Sequence, residues 1–140
     1  MMNEELKKQL RNRRICVVIP TYNNDKTIKT VVEKCLLYCD DVIVVTDGCT
    51  DRTTDILHAI DGITIVSYPQ NRGKGYALKM GFRRALEMGF SYAITLDGDG
   101  QHYPEDIPLF LKANQQHPQS LIIGSRQLEG VDRSKGSSFA

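Results

Sequence analysis

Apolar positions along this chain follow two rhythms, and the alternation between them outlines a fold. Short, β-branched apolar runs at 15–19, 42–45, 63–66, 92–96 and 121–123 have the length and composition of buried strands. Between them, apolar residues recur three and four apart. Ile28, Val31, Val32, Cys35, Leu36 and Cys39 make one helical face. Ala77, Leu78, Gly81, Phe82 and Ala85 make a second, with Gly89 as its stop. The first strand ends at Pro20, and Asn23, Asn24 and Asp25 offer N-caps for the helix after it. Thr50 or Asp51 can cap a short helix through Leu57 or Ile60, and Pro104 opens a last helix over 105–114.

Strands that alternate with helices through short turns predict an α/β fold: a Rossmann-like parallel sheet with helices on both faces. Ligands of such sheets bind at the carboxyl ends of the strands. Polar clusters fall at those places: Thr21-Tyr22-Asn23, Asp47-Gly48, 71–75 and 97–101. The first 14 residues read as a charged flank. The stretch 130–140 is polar and small and carries no core signal, so it reads as a chain cut off before its fold is finished.

Composition changes this picture only at its edges. At 140 residues the chain makes one domain, and a net charge of +1 argues against a nucleic-acid binder. Arg11, Arg13 and Arg14 form the one basic cluster, expected to be a solvated flank. There is no apolar run of about 18 residues to cross a membrane, and Glu4, Glu5, Lys7 and Lys8 interrupt any signal-peptide core. The four cysteines include no C-x-x-C pair, which suits free thiols in a reducing, cytoplasmic setting.

The stretch 96–106, L-D-G-D-G-Q-H-Y-P-E-D, carries the candidate chemistry. Residues two apart in an extended segment face the same side, so Asp97 and Asp99 can address one point. Two such carboxylates need a cation or a proton between them. Oxygen donors without thiolate favour a hard ion, Mg or Mn, and Gln101 continues the alternation with a neutral oxygen. An Asp-Gly turn closing a strand accounts for the same letters, and both readings stand on these residues alone. Competing patterns fail. A calcium loop would want Gly and Glu where His102 and Pro108 stand. Lys74 is followed by Gly75 rather than Ser or Thr, so there is no P-loop, and Leu78 replaces the third glycine of a dinucleotide fingerprint. His58 and His117 are solitary, and no G-x-S-x-G elbow is present. What remains is a carboxylate pair on the last of four loops that meet at one sheet edge. That arrangement suits transfer of a group from a nucleoside diphosphate.

In order, the chain reads V-V-I-P-T-Y-N-N at 17–24, V-V-T-D-G-C-T-D at 44–51, N-R-G-K-G-Y-A-L at 71–78 and L-D-G-D-G-Q-H-Y-P-E at 96–105. Together these motifs resemble family 2 glycosyltransferases of the GT-A fold. Within the family, D-x-D-x-Q-H-x-P-E is most similar to dolichol- or polyprenyl-phosphate mannose and glucose synthases. The resemblance implies metal-dependent, inverting transfer of a hexose from a GDP- or UDP-sugar to a polyprenyl phosphate. It implies that Pro20, Thr21 and Tyr22 wall the base and that Asp47 hydrogen-bonds it, with Lys74 along base and ribose. Asp97 and Asp99 would hold the metal, Mg or Mn, and the ribose–diphosphate region, with Gln101 a further ligand. Arg126, Arg133 and Ser137 would grip the acceptor phosphate, within a region starting at 125.

Two departures stand out. The usual paired aspartates after the second strand appear as Thr46-Asp47, and Cys49 stands where Ser is common. The C-terminal portion that in this family supplies acceptor contacts and membrane-associating helices is not visible here, so peripheral attachment to the cytoplasmic face of a membrane is expected of a longer form. Three alternatives accompany this reading: a glycan acceptor, a nucleotide-sugar-binding module without turnover, and a nucleotidyltransferase. The last would want a Gly-rich basic loop where P-T-Y-N stands.

Overall fold

A strand flanked by neighbours on both edges and helices on both faces has no polar side, and the central strands here have none. The computed structural model describes residues 2–99, 104–116 and 122–123. The element order is α1 (Met2–Asn12), β1 (Ile15–Thr21), α2 (Ile28–Tyr38), β2 (Val42–Asp47), α3 (Thr53–His58), β3 (Ile63–Tyr68), α4 (Lys74–Glu87) and β4 (Tyr92–Thr95). A 3₁₀ turn (Pro104–Asp106) then leads into α5 (Ile107–Gln116), and β5 (Ile122–Ile123) follows. All strand pairs are parallel, in the order β3-β2-β1-β4-β5. The expected parallel α/β sheet is present.

Period-two alternation sorts the strand side chains between two cores. Ile15, Val17 and Ile19 join Val42, Val44 and Ile94 on one face, beneath α2, α3 and α5. Cys16, Val18, Ile43, Val45 and Ala93 point the other way and pack against α4 through Ala77, Leu78 and Ala85. Gly81 is where α4 comes nearest the sheet: a Cβ there would sit 2.5 Å from Val18 Cγ1 and 3.1 Å from Val45 Cγ2. Among the described residues no helix is long and apolar enough to cross a membrane.

Several local expectations are corrected. The first 14 residues are largely exposed, as expected of a charged flank, but they form a helix that docks on the core. Glu4 and Glu5 lie in the first turn of α1 and Arg11 in its last, matching the helix dipole. Leu10 is buried in the main core, with Leu6 packed against it. Lys7 Nζ and Arg11 Nη1 both meet Asp40, at 3.1 and 2.9 Å. Arg13 Nε donates to Asn114 Oδ1 at 2.6 Å, tying the end of α1 to α5. Of the basic cluster, Arg11 and Arg14 stay exposed and Arg13 is half-buried against α5.

β1 does not stop at Pro20 but runs through it to Thr21. The Pro20 carbonyl accepts from Gly98 N at 3.3 Å, so its nitrogen faces the same side, where β4 has already ended at Thr95. The pairing continues past it, Leu96 N donating to the Val18 carbonyl at 3.1 Å, so the proline leaves out one donor within the ladder. Asn23, Asn24 and Asp25 do not cap α2. Thr27 precedes its first residue without a side-chain cap bond, while the Asn24 carbonyl accepts from Thr27 N and Ile28 N. Asp51 does cap as expected, its Oδ1 accepting from Thr53 N at 2.9 Å, and α3 ends at His58.

Substituting Gly81→Val tests how tightly α4 sits. The added methyls meet two strand valines in the second core, so stability to urea is expected to fall by about 1–3 kcal/mol. A midpoint unchanged from the parent would show slack between α4 and the sheet.

Candidate active site

The strand order reverses between β1 and β4. From β1 the chain leaves through α2 on one face and builds outward to β2 and β3; α4 then returns it across the other face to β4. The two central strands part at their carboxyl ends, and a pocket of about 410 Å³ opens there. Pro20, Thr21, Tyr22 and Asn24 line it from the end of β1, and Asp47 from β2. Asn71, Gly73, Lys74 and Ala77 come from the loop before α4 and its first turn; Asp97, Gly98 and Asp99 follow β4. The structure thus brings together Pro20, Thr21, Tyr22, Asp47, Lys74, Asp97 and Asp99. Gln101, Arg126, Arg133 and Ser137 lie outside the described residues.

The two carboxylates are held through the glycine between them. Gly98 N donates to the Pro20 carbonyl, and Thr27 Oγ1 donates to the Gly98 carbonyl at 2.8 Å. A Cβ on Gly98 would come within 2.7 Å of Thr21 Oγ1 and 2.8 Å of Thr21 Cβ. Thr21 has little room to give way, because it is buried and its hydroxyl donates to Asn24 Oδ1 at 2.6 Å. Tyr22 N donates to the same oxygen at 3.2 Å. The D-G-D loop is therefore pinned to the end of β1 and the start of α2.

Opposite it stands Lys74, the first residue of α4. Its Nζ lies 2.8 Å from Asp97 Oδ1, with the lysine side chain 41% and the aspartate 17% exposed. The expectation for Lys74 was a place along base and ribose; here its ammonium pairs with the first carboxylate of the D-x-D. The loop that delivers Lys74 is fixed by Asp47, which is only 3% exposed. Asp47 Oδ1 accepts from Arg72 N at 2.8 Å; Oδ2 accepts from Gly73 N at 2.9 Å and Asn71 Nδ2 at 3.0 Å. Asp47, the expected base contact, lines the pocket and gives three of its acceptor positions to its own chain, which fixes the 71–73 loop.

Beside this anchor, Tyr68 and Tyr76 meet edge to face at 5.2 Å, and the Arg72 guanidinium lies 5.2 Å from the Tyr76 ring centre. Burial first, and then the Asp47 carboxylate, push the Tyr68 hydroxyl pKa upward, so it stays protonated. Cys49 Sγ donates to the Thr21 carbonyl and accepts from Asn23 N, both at 3.5 Å. Burial pushes this thiol's pKa up, which makes it a structural link between the first two loops rather than a nucleophile. All four cysteines are free, and burial pushes Cys16 and Cys39 up to about 12.

The donor set fits a hard divalent cation. Asp97 and Asp99 line one pocket, and one of them already holds a cationic group at contact distance. Among the described residues no set of three His, Cys, Asp or Glu side chains converges on one point. Two carboxylates with water and substrate phosphate completing the shell is the usual arrangement for Mg.

Three contributors escaped the sequence reading. Asn71 was quoted within N-R-G-K-G without a role, and Asn24 was read as a helix cap. Thr27 carries no sequence signal at all, because its partner, the Gly98 carbonyl, lies 71 positions away.

Comparison with known proteins agrees with this geometry. A sequence profile described as glycosyl transferase family 2 matches residues 16–137. The UDP-N-acetylglucosamine–dolichyl-phosphate N-acetylglucosaminyltransferase of Methanococcus voltae is 31% identical over 129 residues, covering 80% of this chain and 51% of that protein. The polyprenol monophosphomannose synthase of Mycolicibacterium smegmatis is 31% identical over 125 residues, covering 84% of this chain and 47% of its own length. The chain thus spans about half the length of the curated relatives it matches. Glucosyl-3-phosphoglycerate synthase from Mycobacterium tuberculosis, solved with Mn2+, UDP-glucose and phosphoglyceric acid, superposes with a TM-score of 0.62 at 26% identity. That match covers 84% of this chain and 44% of the synthase. The profile match over most of the chain and the superposition place this chain in glycosyltransferase family 2, with the GT-A fold.

Proposed function

We propose that the pocket binds a nucleoside diphosphate sugar, GDP- or UDP-linked, together with a divalent cation, and that the whole protein transfers the hexose with inversion to a polyprenyl phosphate. The observation that carries this reading is the meeting of Asp97, Asp99 and Lys74 with the loops after β1, β2 and β3 in one pocket. The donor is supported by the UDP in the names of the Methanococcus voltae enzyme and of the mycobacterial synthase complex. The acceptor is supported by the lipid phosphates in the names of the curated relatives.

In this mechanism Pro20, Thr21 and Tyr22 wall the nucleoside, and Asp47 hydrogen-bonds the base while it also holds the 71–73 loop. Asp97 and Asp99 hold Mg or Mn, with Gln101 as a further ligand. When bound, the cation supplies charge neutralisation for the departing diphosphate. Lys74 adds a second positive group on the same side. An acceptor phosphate is anionic at neutral pH, so attack on the anomeric carbon needs no general base from the described residues. Rate enhancement then rests on positioning and on electrostatic stabilisation of the leaving group. Arg126, Arg133 and Ser137 would hold the acceptor phosphate. A lipid-phosphate acceptor would bring the protein to a membrane surface, on our reading its cytoplasmic face, by peripheral attachment.

Thermal denaturation with a panel of nucleoside diphosphates and their sugars, with and without Mn2+, tests the donor. One base is expected to raise the midpoint by on the order of 5 °C, and only with metal present. Equal shifts without metal would remove the cation from the reading.

Asp99→Asn in the full-length protein should lower transfer to a polyprenyl phosphate by about 100-fold or more, given the several kcal/mol a cation contributes to a developing charge. Unchanged metal-dependent transfer would move the centre elsewhere. Gly98→Ala should weaken nucleotide binding and lower stability by about 1–3 kcal/mol, since its methyl meets Thr21. Calorimetry with the nucleotide and a urea titration separate the two effects.

A further inference from the structure

We propose that the Lys74 ammonium and the divalent cation compete for Asp97, so that metal and nucleoside diphosphate enter this pocket together rather than in turn. The inference rests on the metal-centre reading above and adds a coupling to it. Lys74 Nζ sits 2.8 Å from Asp97 Oδ1, inside the pocket where a cation would bind. A metal ligated by that oxygen would stand about 2.0–2.6 Å from it. Two cations cannot share that oxygen at those distances without strong repulsion. A metal that takes this oxygen of Asp97 therefore displaces the ammonium.

The route it can take is restricted. Asp47 binds the backbone N–H groups of Arg72 and Gly73 as well as the Asn71 side chain, so the chain just before Lys74 is held in place. The Lys74 carbonyl end is built into α4. Only the flexible four-carbon stem is left to swing. A displaced ammonium can turn to water, since the side chain is 41% exposed, but the diphosphate offers it an anion. Without nucleotide, the metal breaks the ion pair and leaves the lysine to solvent alone. With nucleotide, the lysine exchanges one anionic partner for another. By linkage, each ligand raises the other's affinity by the same factor.

The test measures Mn2+ binding directly, from the electron paramagnetic resonance signal of the free ion, for the parent protein, Lys74→Gln and Lys74→Arg. Each is titrated alone and with UDP or GDP, and circular dichroism melting confirms folding. Lys74→Gln is expected to bind Mn2+ alone about fivefold more tightly, the size of a half-exposed ion pair. The enhancement by nucleotide should shrink by at least that factor. Lys74→Arg should behave like the parent. In the double variant Lys74→Gln/Asp97→Asn, the gain should vanish. Unchanged or weaker Mn2+ binding by Lys74→Gln without nucleotide overturns the competition while leaving the metal centre standing. Absence of Mn2+ binding in every protein, even with nucleotide, overturns the centre itself and the competition with it.

Discussion

Like charges two residues apart on one loop repel, and holding Asp97 and Asp99 toward a common pocket is the constraint around which this edge of the sheet is built. The solution is mechanical as well as electrostatic. Gly98, between them, is bonded through both its backbone groups, to the Pro20 carbonyl and the Thr27 hydroxyl. It presses so closely on Thr21 that a side chain has no place. The Lys74 ammonium offsets part of the charge. Neither device works unless β1 and β4 are neighbours, which is a property of the strand order.

A second carboxylate organises the opposite wall. Asp47 ends β2, is buried, and accepts hydrogen bonds from Asn71, Arg72 and Gly73 just ahead of α4. A negative charge at the start of a helix is favourable on its own account. Here it also satisfies the backbone N–H groups of Arg72 and Gly73, just before the first turn. The consequence for chemistry is that Lys74 begins from a fixed point. A buried anion on one strand thereby sets where a mobile cation on another element can reach.

Much of this was legible beforehand. The strands at 15–19, 42–45, 63–66 and 92–96, the long faces of α2 and α4, and the position of polar loops at one edge all followed from periodicity and turn residues, since both are local properties. The errors share a cause. Leu6 and Leu10 are too few to mark α1 as buried within a charged stretch, and their value depends on the core beneath them. Asn24 has the chemistry of a helix cap, but its side-chain oxygen serves Thr21 and Tyr22 instead. Pro20 looks like a strand stop, but its carbonyl still accepts from Gly98 N, so the chain stays paired through it.

The sequence by itself determined which residue types stand at the carboxyl ends of the strands, and with the four motifs in order it determined the family. The D-G-D stretch announced two carboxylates close together, and they line one pocket although Gly98 and Asp99 form a turn rather than an extended segment. Tertiary structure alone decided what faces them. Asp47 and Asn71 are separated by 24 positions, and Thr27 and the Gly98 carbonyl by 71. No local pattern encodes such pairs, which exist only once parallel strands lie side by side. The ion pair between Lys74 and Asp97 belongs to the same class: both residues could be named from the sequence, but their contact is made by the crossover through α4.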